Sequence, residues 1–370
     1  MSREREAEHL DTRILATIER WHRHGDSLSD AEFDDLAIAI FDYQLRYAPA
    51  YAAYCAGYGI SPSALPTTWR AIPPLPARAF KEAAIAAFPS ECAELLFESS
   101  GTTLGAPSRH FLENRRLYDA SLLAGFERAM LGDGARLRYL LLVPNPAQRP
   151  HSSLGYMMGR VAAQFGDGET GWYLNEDRFL LDAFTADIDD ACERAQPVCI
   201  ATTAFSLLHL LEAFEERGKT LALPAGSRMM ETGGFKGRER SVAREELYAR
   251  AMHAFGISAE SILAEYGMSE LCSQYYDLPG SERRVADAIH RVKIAPPWLR
   301  TRVLDERERD CAPGTIGALA HIDLANRSSC LAVLTEDLGA SLDEGIVLLG
   351  RESGAALRGC SLDAEDLRRA

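Results

Sequence analysis

The chain has 370 residues, 47% hydrophobic and 25% charged, which suits a globular protein with one large α/β domain, with or without a small appendage. Forty basic residues against 54 acidic ones give a formal charge of −14, which repels a nucleic-acid backbone unless a basic patch is segregated, and none is visible. No apolar run reaches the roughly 18 to 20 residues of a membrane helix, the N-terminus M-S-R-E-R-E-A-E-H-L is unlike a signal peptide, and eight cysteines without a CxxC pair suit a reducing cytoplasm rather than zinc or redox work.

Residues 1–60 read as helical. Ser29-Asp30-Ala31-Glu32 has the capping-box form, and Phe33, Leu36, Ile40, Tyr43 and Tyr47 repeat at helical spacing as a core-facing stripe. Pro62, Pro66, Pro73, Pro74 and Pro76 then impose an extended crossing segment that ends at Phe80-Lys81. Arg115 to Leu131 reads as a helix, and the apolar run Tyr139–Val143 as a buried strand. Further strands are expected at 198–202, 228–231 and 261–264, separated by helices at 205–217 and 239–255. That alternation implies βαβ units and a largely parallel sheet. From about residue 292 the texture changes to short strands at 292–294, 301–304, 315–323, 331–334 and 345–349, a smaller β-rich subdomain. A polar, hinge-like tail follows.

Chemistry concentrates in a few places. Phe97 to His110 (F-E-S-S-G-T-T-L-G-A-P-S-R-H) packs hydroxyls, flexible backbone and a cation into one short span. Such a loop can wrap phosphate oxygens with backbone N–H groups and Ser/Thr donors, although a plain turn has about equal weight. The Walker pattern is not met, because no Gly-Lys pair follows Gly101 at the required spacing. Glu231-Thr232-Gly233-Gly234-Phe235-Lys236-Gly237 and Glu265-Tyr266-Gly267-Met268-Ser269-Glu270 each follow an expected strand, at the carboxyl ends where open α/β sheets bind ligands. The second offers a ring to stack on a base, a hydroxyl for a phosphate and a carboxylate for Mg²⁺. Thr335-Glu336-Asp337-Leu338-Gly339 reads as a polar turn whose Asp could accept bonds from ribose hydroxyls, and Gly350-Arg351 could add a cation; taken singly, both read as surface turns.

The order S-S-G-T-T, E-T-G-G-F-K-G, E-Y-G-M-S-E, T-E-D-L-G, G-R resembles the adenylate-forming superfamily of acyl-CoA and aryl-acid ligases. I-P-P-L-P-A-R-A-F-K (72–81), P-S-R-H, H-S-S-L-G-Y-M (151–157) and the C-terminal R-G-C-S-L narrow the resemblance to the LuxE-type acyl-protein synthetases, over roughly residues 30–365. It implies an adenylate-forming N-terminal α/β domain over 1–345, with mostly parallel sheets flanked by helices and the β-rich subdomain at about 292–345. Residues 346–370 would form a hinge and C-terminal arm, the ligases' C-terminal domain being truncated to a short tail.

The resemblance also implies a reaction and a set of roles. ATP and a carboxylic acid, most readily a fatty acid, give an acyl-adenylate with Mg²⁺, and the acyl group passes to a thiol. Ser99, Ser100, Gly101, Thr102 and Thr103 would cradle the triphosphate. Gly233 and Gly234 would border the adenine, with Tyr266 against it and Gly267 following. Ser269 would bond the α-phosphate, Glu270 would hold Mg²⁺, and Asp337 and Arg351 would bind the ribose. Cys360 would take the acyl group as a thioester for a partner such as an acyl reductase. Arg358 nearby favours its thiolate.

Two departures stand out. Leu104 occupies a usual loop glycine position, or else is inserted before Gly105, and Ser108-Arg109 stands where many ligases carry lysine, so Arg109 would supply the charge with a different geometry. Full-length ligases also continue past the hinge through a catalytic lysine, whereas the short end fits the acyl-protein synthetases. CoA or an amine as acceptor, and a non-catalytic nucleotide-binding module, are the alternatives. The seven cysteines other than Cys360 are expected to be core residues, with Cys272 the one closest to the site; Tyr156, Met157, Phe205 and His209 are guesses at pocket lining.

Overall fold

A computed structural model of the chain describes residues 2–99, 106–175, 178–233, 242–285 and 288–351, Arg351 by its backbone alone. The chain forms two compact units, one comprising Phe126–Gly267 with Tyr276–Ser281 and the other comprising the remaining segments.

The first unit is built on parallel strands. In space they run Gly166–Trp172, Leu137–Leu142, Val198–Thr203, Arg228–Thr232 and Ile262–Tyr266. Numbered along the chain this is the doubly wound order 2-1-3-4-5, whose ligand-binding edge lies beyond the strands' carboxyl ends. Leu137–Leu142 is buried at every residue, which is why it reads in sequence as a continuous apolar run rather than an alternation. Helices Ser153–Phe165, Leu181–Glu193, Ala204–Glu216 and Arg244–Phe255 belong to the same unit. Phe184, Ile188, Leu207, Phe214 and Phe255 from these helices pack with Leu140, Ile200 and Met229 from the strands. Ser152 and Thr203 cap two of the helices, their hydroxyls accepting from Gly155 and Ser206 backbone N–H at 3.0 and 3.1 Å. Ser153–Phe165 and Leu181–Glu193 are helices that the sequence reading does not name, although Leu154, Met157, Met158 and Val161, and Leu181, Phe184 and Ile188, recur at helical spacing.

The other unit begins with helices Arg3–His24, Asp30–Tyr47 and Pro49–Ala56. The capping box forms in full: Ser29 Oγ accepts from Glu32 N–H, and Glu32 Oε2 accepts from Ser29 N–H at 2.8 Å. Phe33, Leu36, Ile40 and Tyr43 are buried, as their spacing requires. This unit also holds an antiparallel sheet in the order Leu299–Leu304, Gly317–Asp323, Ala332–Ser341, Ile346–Arg351, Ala288–Ile294. The proline-rich segment ends as Leu75–Pro76, paired in parallel with Val333–Leu334. Arg327, buried in the loop between two of these strands, grips Asp11 of the first helix through two bonds of 2.7 and 2.9 Å and also pairs with Glu113. Such a network is expensive to desolvate and expensive to break.

Two expectations are corrected. Thr335-Glu336-Asp337-Leu338-Gly339 is not a turn but the middle of the Ala332–Ser341 strand. Ala318 pairs with Leu338 and Ala320 with Leu334, so four steps on one strand face two on the other, and Thr335–Asp337 is a bulge. The bulge puts polar residues where a regular strand would alternate, which makes the segment look like a turn. The second correction concerns the cysteines. Cys55, Cys199, Cys272 and Cys330 are buried, but Cys92 is exposed and Cys192 and Cys311 are partly so.

Candidate active site

The hydroxyl-rich loop is flanked by two paired strands. Leu95–Glu98 pairs antiparallel with Arg109–Leu112, Glu98 standing opposite Arg109. Ser99 and Ser108 close the base: Ser99 N–H donates to the Ser108 carbonyl at 3.1 Å, and Ser108 N–H donates to Ser99 Oγ at 3.0 Å. Ser100, Gly101, Thr102 and Thr103, together with Leu104, lie outside the described residues. Arg109 is exposed, its guanidinium 5.7 Å from the centre of the Phe111 ring. Ser108 is 1% exposed, and its Oγ has no hydrogen-bond partner among the described residues. A buried hydroxyl left over at the base of such a loop is a donor that an anionic ligand can use.

Met268–Ser273 is a turn fixed almost residue by residue. The Ser269 carbonyl lies 2.7 Å from His110 Nδ1, and the Glu270 carbonyl accepts from Asn326 Nδ2 at 2.8 Å. Cys272 N–H donates to Asp323 Oδ2 at 2.8 Å, and Ser273 Oγ to Asp323 Oδ1 at 2.7 Å. Trp298 Nε1 donates to Ser273 Oγ at 3.0 Å. His110 Nε2 lies 2.9 Å from Asn326 Oδ1, and Asn326 Nδ2 also donates to the Cys330 carbonyl at 2.8 Å, which fixes the orientation of that amide. Burial pulls His110 down to about 4, and because both ring partners are acceptors the neutral imidazole donates to only one of them at a time. Burial also pushes Asp323 up to about 6, although hydrogen bonds from Ser273, Cys272 and Ala325 favour its charged form. Cys272 is buried and pushed well above the ordinary thiol range, so it is no nucleophile at neutral pH. Glu270 is 7% exposed.

The ribose candidates meet by register. Asp337 and Arg351 are direct partners across the antiparallel pair Ala332–Ser341 and Ile346–Arg351. Asp337 N–H donates to Thr335 Oγ1 at 3.0 Å, which stabilises the bulge that carries it. In the parallel-stranded unit, Thr232 stands opposite Glu265, so Gly233 and Tyr266 emerge from the carboxyl ends of neighbouring strands. Gly233 has φ +76°, a conformation that favours glycine and turns the chain sharply off the strand. Tyr266 is buried and Gly267 half-buried. Gly234 and Cys360 lie outside the described residues. Of the pocket guesses, Met157 is buried, while His209 is exposed with its ring 4.3 Å from that of Phe205.

A family model described as Acyl-protein synthetase, LuxE matches residues 28–366. The chain belongs to the LuxE acyl-protein synthetase family. No curated protein sequence matches it significantly. Among solved structures it resembles a 2-hydroxyisobutyryl-CoA ligase in an open conformation with 2-HIB-AMP and CoA. There the TM-score is 0.61 at 15% identity, over 90% of this chain and 73% of that one. It also resembles ATP-bound MatB from Rhodopseudomonas palustris, with TM-score 0.51 and 16% identity over 72% of this chain. The phenylalanyl-adenylate complex of McyG A-PCP gives TM-score 0.50 and 16% identity, also over 72%. The chain spans about half the length of the last two, 49% and 48%. These likenesses give the LuxE-family chain the adenylate-forming enzyme fold.

Ser108 Oγ, buried and unpartnered among the described residues, and the Glu270 carboxylate are groups of the kind a Mg-nucleotide would use. Among the described residues no three His, Cys, Asp or Glu side chains cluster as a metal cage. Mg²⁺ is commonly held by one or two carboxylates plus substrate phosphates, and Glu270 is the carboxylate the sequence motif supplies. Sequence reasoning missed the supports of this turn. His110 ends the P-S-R-H match yet carried no role, and Asn326 lies in A-N-R-S-S-C, a polar run between two apolar strands that a surface loop could equally explain. That all these residues except Ala325 are polar or thiol-bearing and yet buried is visible only in three dimensions.

Proposed function

We propose that the chain activates a carboxylic acid, most readily a fatty acid, with ATP and passes the acyl group to a cysteine thiol. The observation that carries this reading is the packing of the hairpin strand Arg109–Leu112 against the 268–273 turn within one compact unit. It brings the base of the hydroxyl-rich loop and the Ser269–Glu270 pair to the same end of the fold. Family membership supports acid activation, and the ATP-bound and adenylate-bound neighbours share the fold.

In the first step a carboxylate oxygen forms a bond to the α-phosphorus and the bond to the bridging oxygen breaks, releasing pyrophosphate. The obstacle is repulsion between carboxylate and triphosphate. Ser99, Ser100, Gly101, Thr102 and Thr103 cradle the triphosphate, and Arg109 supplies positive charge nearby. Ser269 donates to the α-phosphate and Glu270 holds Mg²⁺, which neutralises phosphate charge when bound. Gly233, Gly234 and Gly267 let the backbone lie close to the adenine, Tyr266 lies against it, and Asp337 and Arg351 hold the ribose. In the second step the Cys360 thiolate attacks the acyl carbon and the acyl–oxygen bond breaks, releasing AMP; no electrons are gained or lost. Residues 1–345 form the adenylating domain, whose sheet also takes in Ile346–Arg351, and the rest of 346–370 forms the hinge and arm that delivers the thioester to an acceptor such as an acyl reductase.

The test is intact-mass analysis after incubation with MgATP and a fatty acid. A hydroxylamine-sensitive acyl adduct is expected on the wild type and none on Cys360→Ser, which still releases pyrophosphate. An unchanged adduct on the variant, or acyl transfer to CoA without any adduct, overturns the thiol assignment.

A further inference from the structure

His110 is a buried group to which the reaction assigns no role. Its 0% exposure and its two ring contacts place it between the hairpin and the 268–273 turn. One residue before it is Arg109, and two before it is Ser108, whose N–H closes the loop onto Ser99 Oγ. Across the ring are the carbonyl of Ser269 and the amide of Asn326, which itself holds the carbonyl of Glu270. Phe80 packs edge-on against the imidazole with centroids 6.0 Å apart and fixes its plane. Three short contacts therefore run from the base of the hydroxyl-rich loop to the backbone of both residues assigned to the α-phosphate and Mg²⁺.

From this juxtaposition we infer that His110 is a positioning residue, a cross-brace that, with Asn326, fixes the spacing between the triphosphate loop and the Ser269–Glu270 turn. The functional consequence rests on the adenylation reading; the mechanical coupling does not. An imidazole suits the task because it is rigid and carries nitrogens on opposite edges; with its single ring proton it hydrogen-bonds one of Ser269 and Asn326 and packs on the other, so a displacement of the hairpin is passed to the turn rather than absorbed. Loss of register between elements that grip one ligand costs reaction rate out of proportion to the contact removed, because in-line attack needs reacting atoms held close and aligned.

The ring's two edges can be separated by mutation. His110→Phe keeps the volume and removes both polar contacts. His110→Asn places an amide near the Nδ1 position and can restore a donor to the Ser269 carbonyl, and His110→Gln reaches toward the Nε2 position and Asn326 instead. Amide hydrogen exchange on the full chain without ligand is the first readout. Faster exchange is expected at both 106–112 and 267–273 in His110→Phe, with the Ile262–Tyr266 and Val198–Thr203 strands unchanged, and recovery at 267–273 is expected in His110→Asn but not in His110→Gln. Loosening of the hairpin alone, or no change at 267–273, overturns the brace. Should His110→Phe fail to fold, the contrast between Asn and Gln decides on the same segments.

Pyrophosphate exchange is the second readout. A fall in kcat/KM for ATP on the order of 10- to 100-fold in His110→Phe, with KM for the acid unmoved, is expected. A fall in kcat that matches a smaller folded fraction by circular dichroism, with both KM values unmoved, would mark a general folding defect and reject the positioning role. If the wild type shows no exchange with any acid, the adenylation reading fails by itself, and the hydrogen-exchange comparison still decides on the brace.

Discussion

Asp323→Asn probes the base of the proposed site. Asp323 is fully buried and receives bonds from Cys272 N–H, Ser273 Oγ and Ala325 N–H at 2.8, 2.7 and 3.0 Å. Burial outweighs these bonds and lifts its ionisation from 3.8 to about 6. The folded protein therefore keeps a proton that the unfolded chain releases, and between pH 3.8 and about 6 stability falls as pH rises. At 1.36 kcal/mol per pH unit the whole effect is about 3 kcal/mol, of which about 2 kcal/mol falls between pH 4.5 and 7. Asparagine removes the titration. It has one acceptor oxygen for three donors, so it also costs about 1–3 kcal/mol at every pH for the groups left unpaired. His110 and His321, whose buried rings resist protonation, titrate in both proteins and cancel from the difference. Urea unfolding at steps from pH 4.5 to 7 should show the variant weaker at pH 4.5, with its deficit shrinking by about 2 kcal/mol by pH 7. A deficit independent of pH would refute the argument that Asp323 is strained by its charge.

Arg327→Leu leaves Asp11 and Glu113 without their buried cation, and a loss of about 3–5 kcal/mol in urea unfolding is expected; a loss under about 1 kcal/mol would contradict the network's role. Gly339→Ala would bring a methyl group to 2.4 Å from the Val347 carbonyl oxygen and 2.9 Å from Leu319, next to the bulge that carries Asp337. Because the Val347 partner is backbone, a cost of about 1–3 kcal/mol is expected, visible as a lowered Tm, and a neutral result would show that this strand pair yields easily.

The fold was legible wherever one period dominated. The continuous run Y-L-L-L-V marks a strand buried on both faces, and the helical stripe from Phe33 to Tyr43 marks the face that packs inward. Tyr275–Val285 was missed because glycine, proline and charges interrupt its pattern. Thr335–Asp337 misled for a definite reason: a bulge removes the alternation from which a strand is read. Of the candidate site, the residues expected to touch ligand were found from order and composition, since hydroxyls, glycines and an acid in fixed sequence announce themselves. The residues that hold them did not. His110, Asp323 and Asn326 act through long-range contacts with Ser269, Glu270 and Cys272, separated by 51 to 159 positions in the chain. A single sequence carries no local sign of such pairs.

ATP–pyrophosphate exchange tests most directly whether this chain makes an acyl-adenylate. The assay is run with fatty, short-chain and aromatic acids on the wild type and on Glu270→Ala. Acid-dependent exchange by the wild type, abolished in Glu270→Ala while ATP binding persists, is the predicted result. Exchange undiminished in the variant would contradict the assignment of Glu270 to Mg²⁺, and its absence in the wild type across the panel, with ATP bound, would contradict the adenylation account itself.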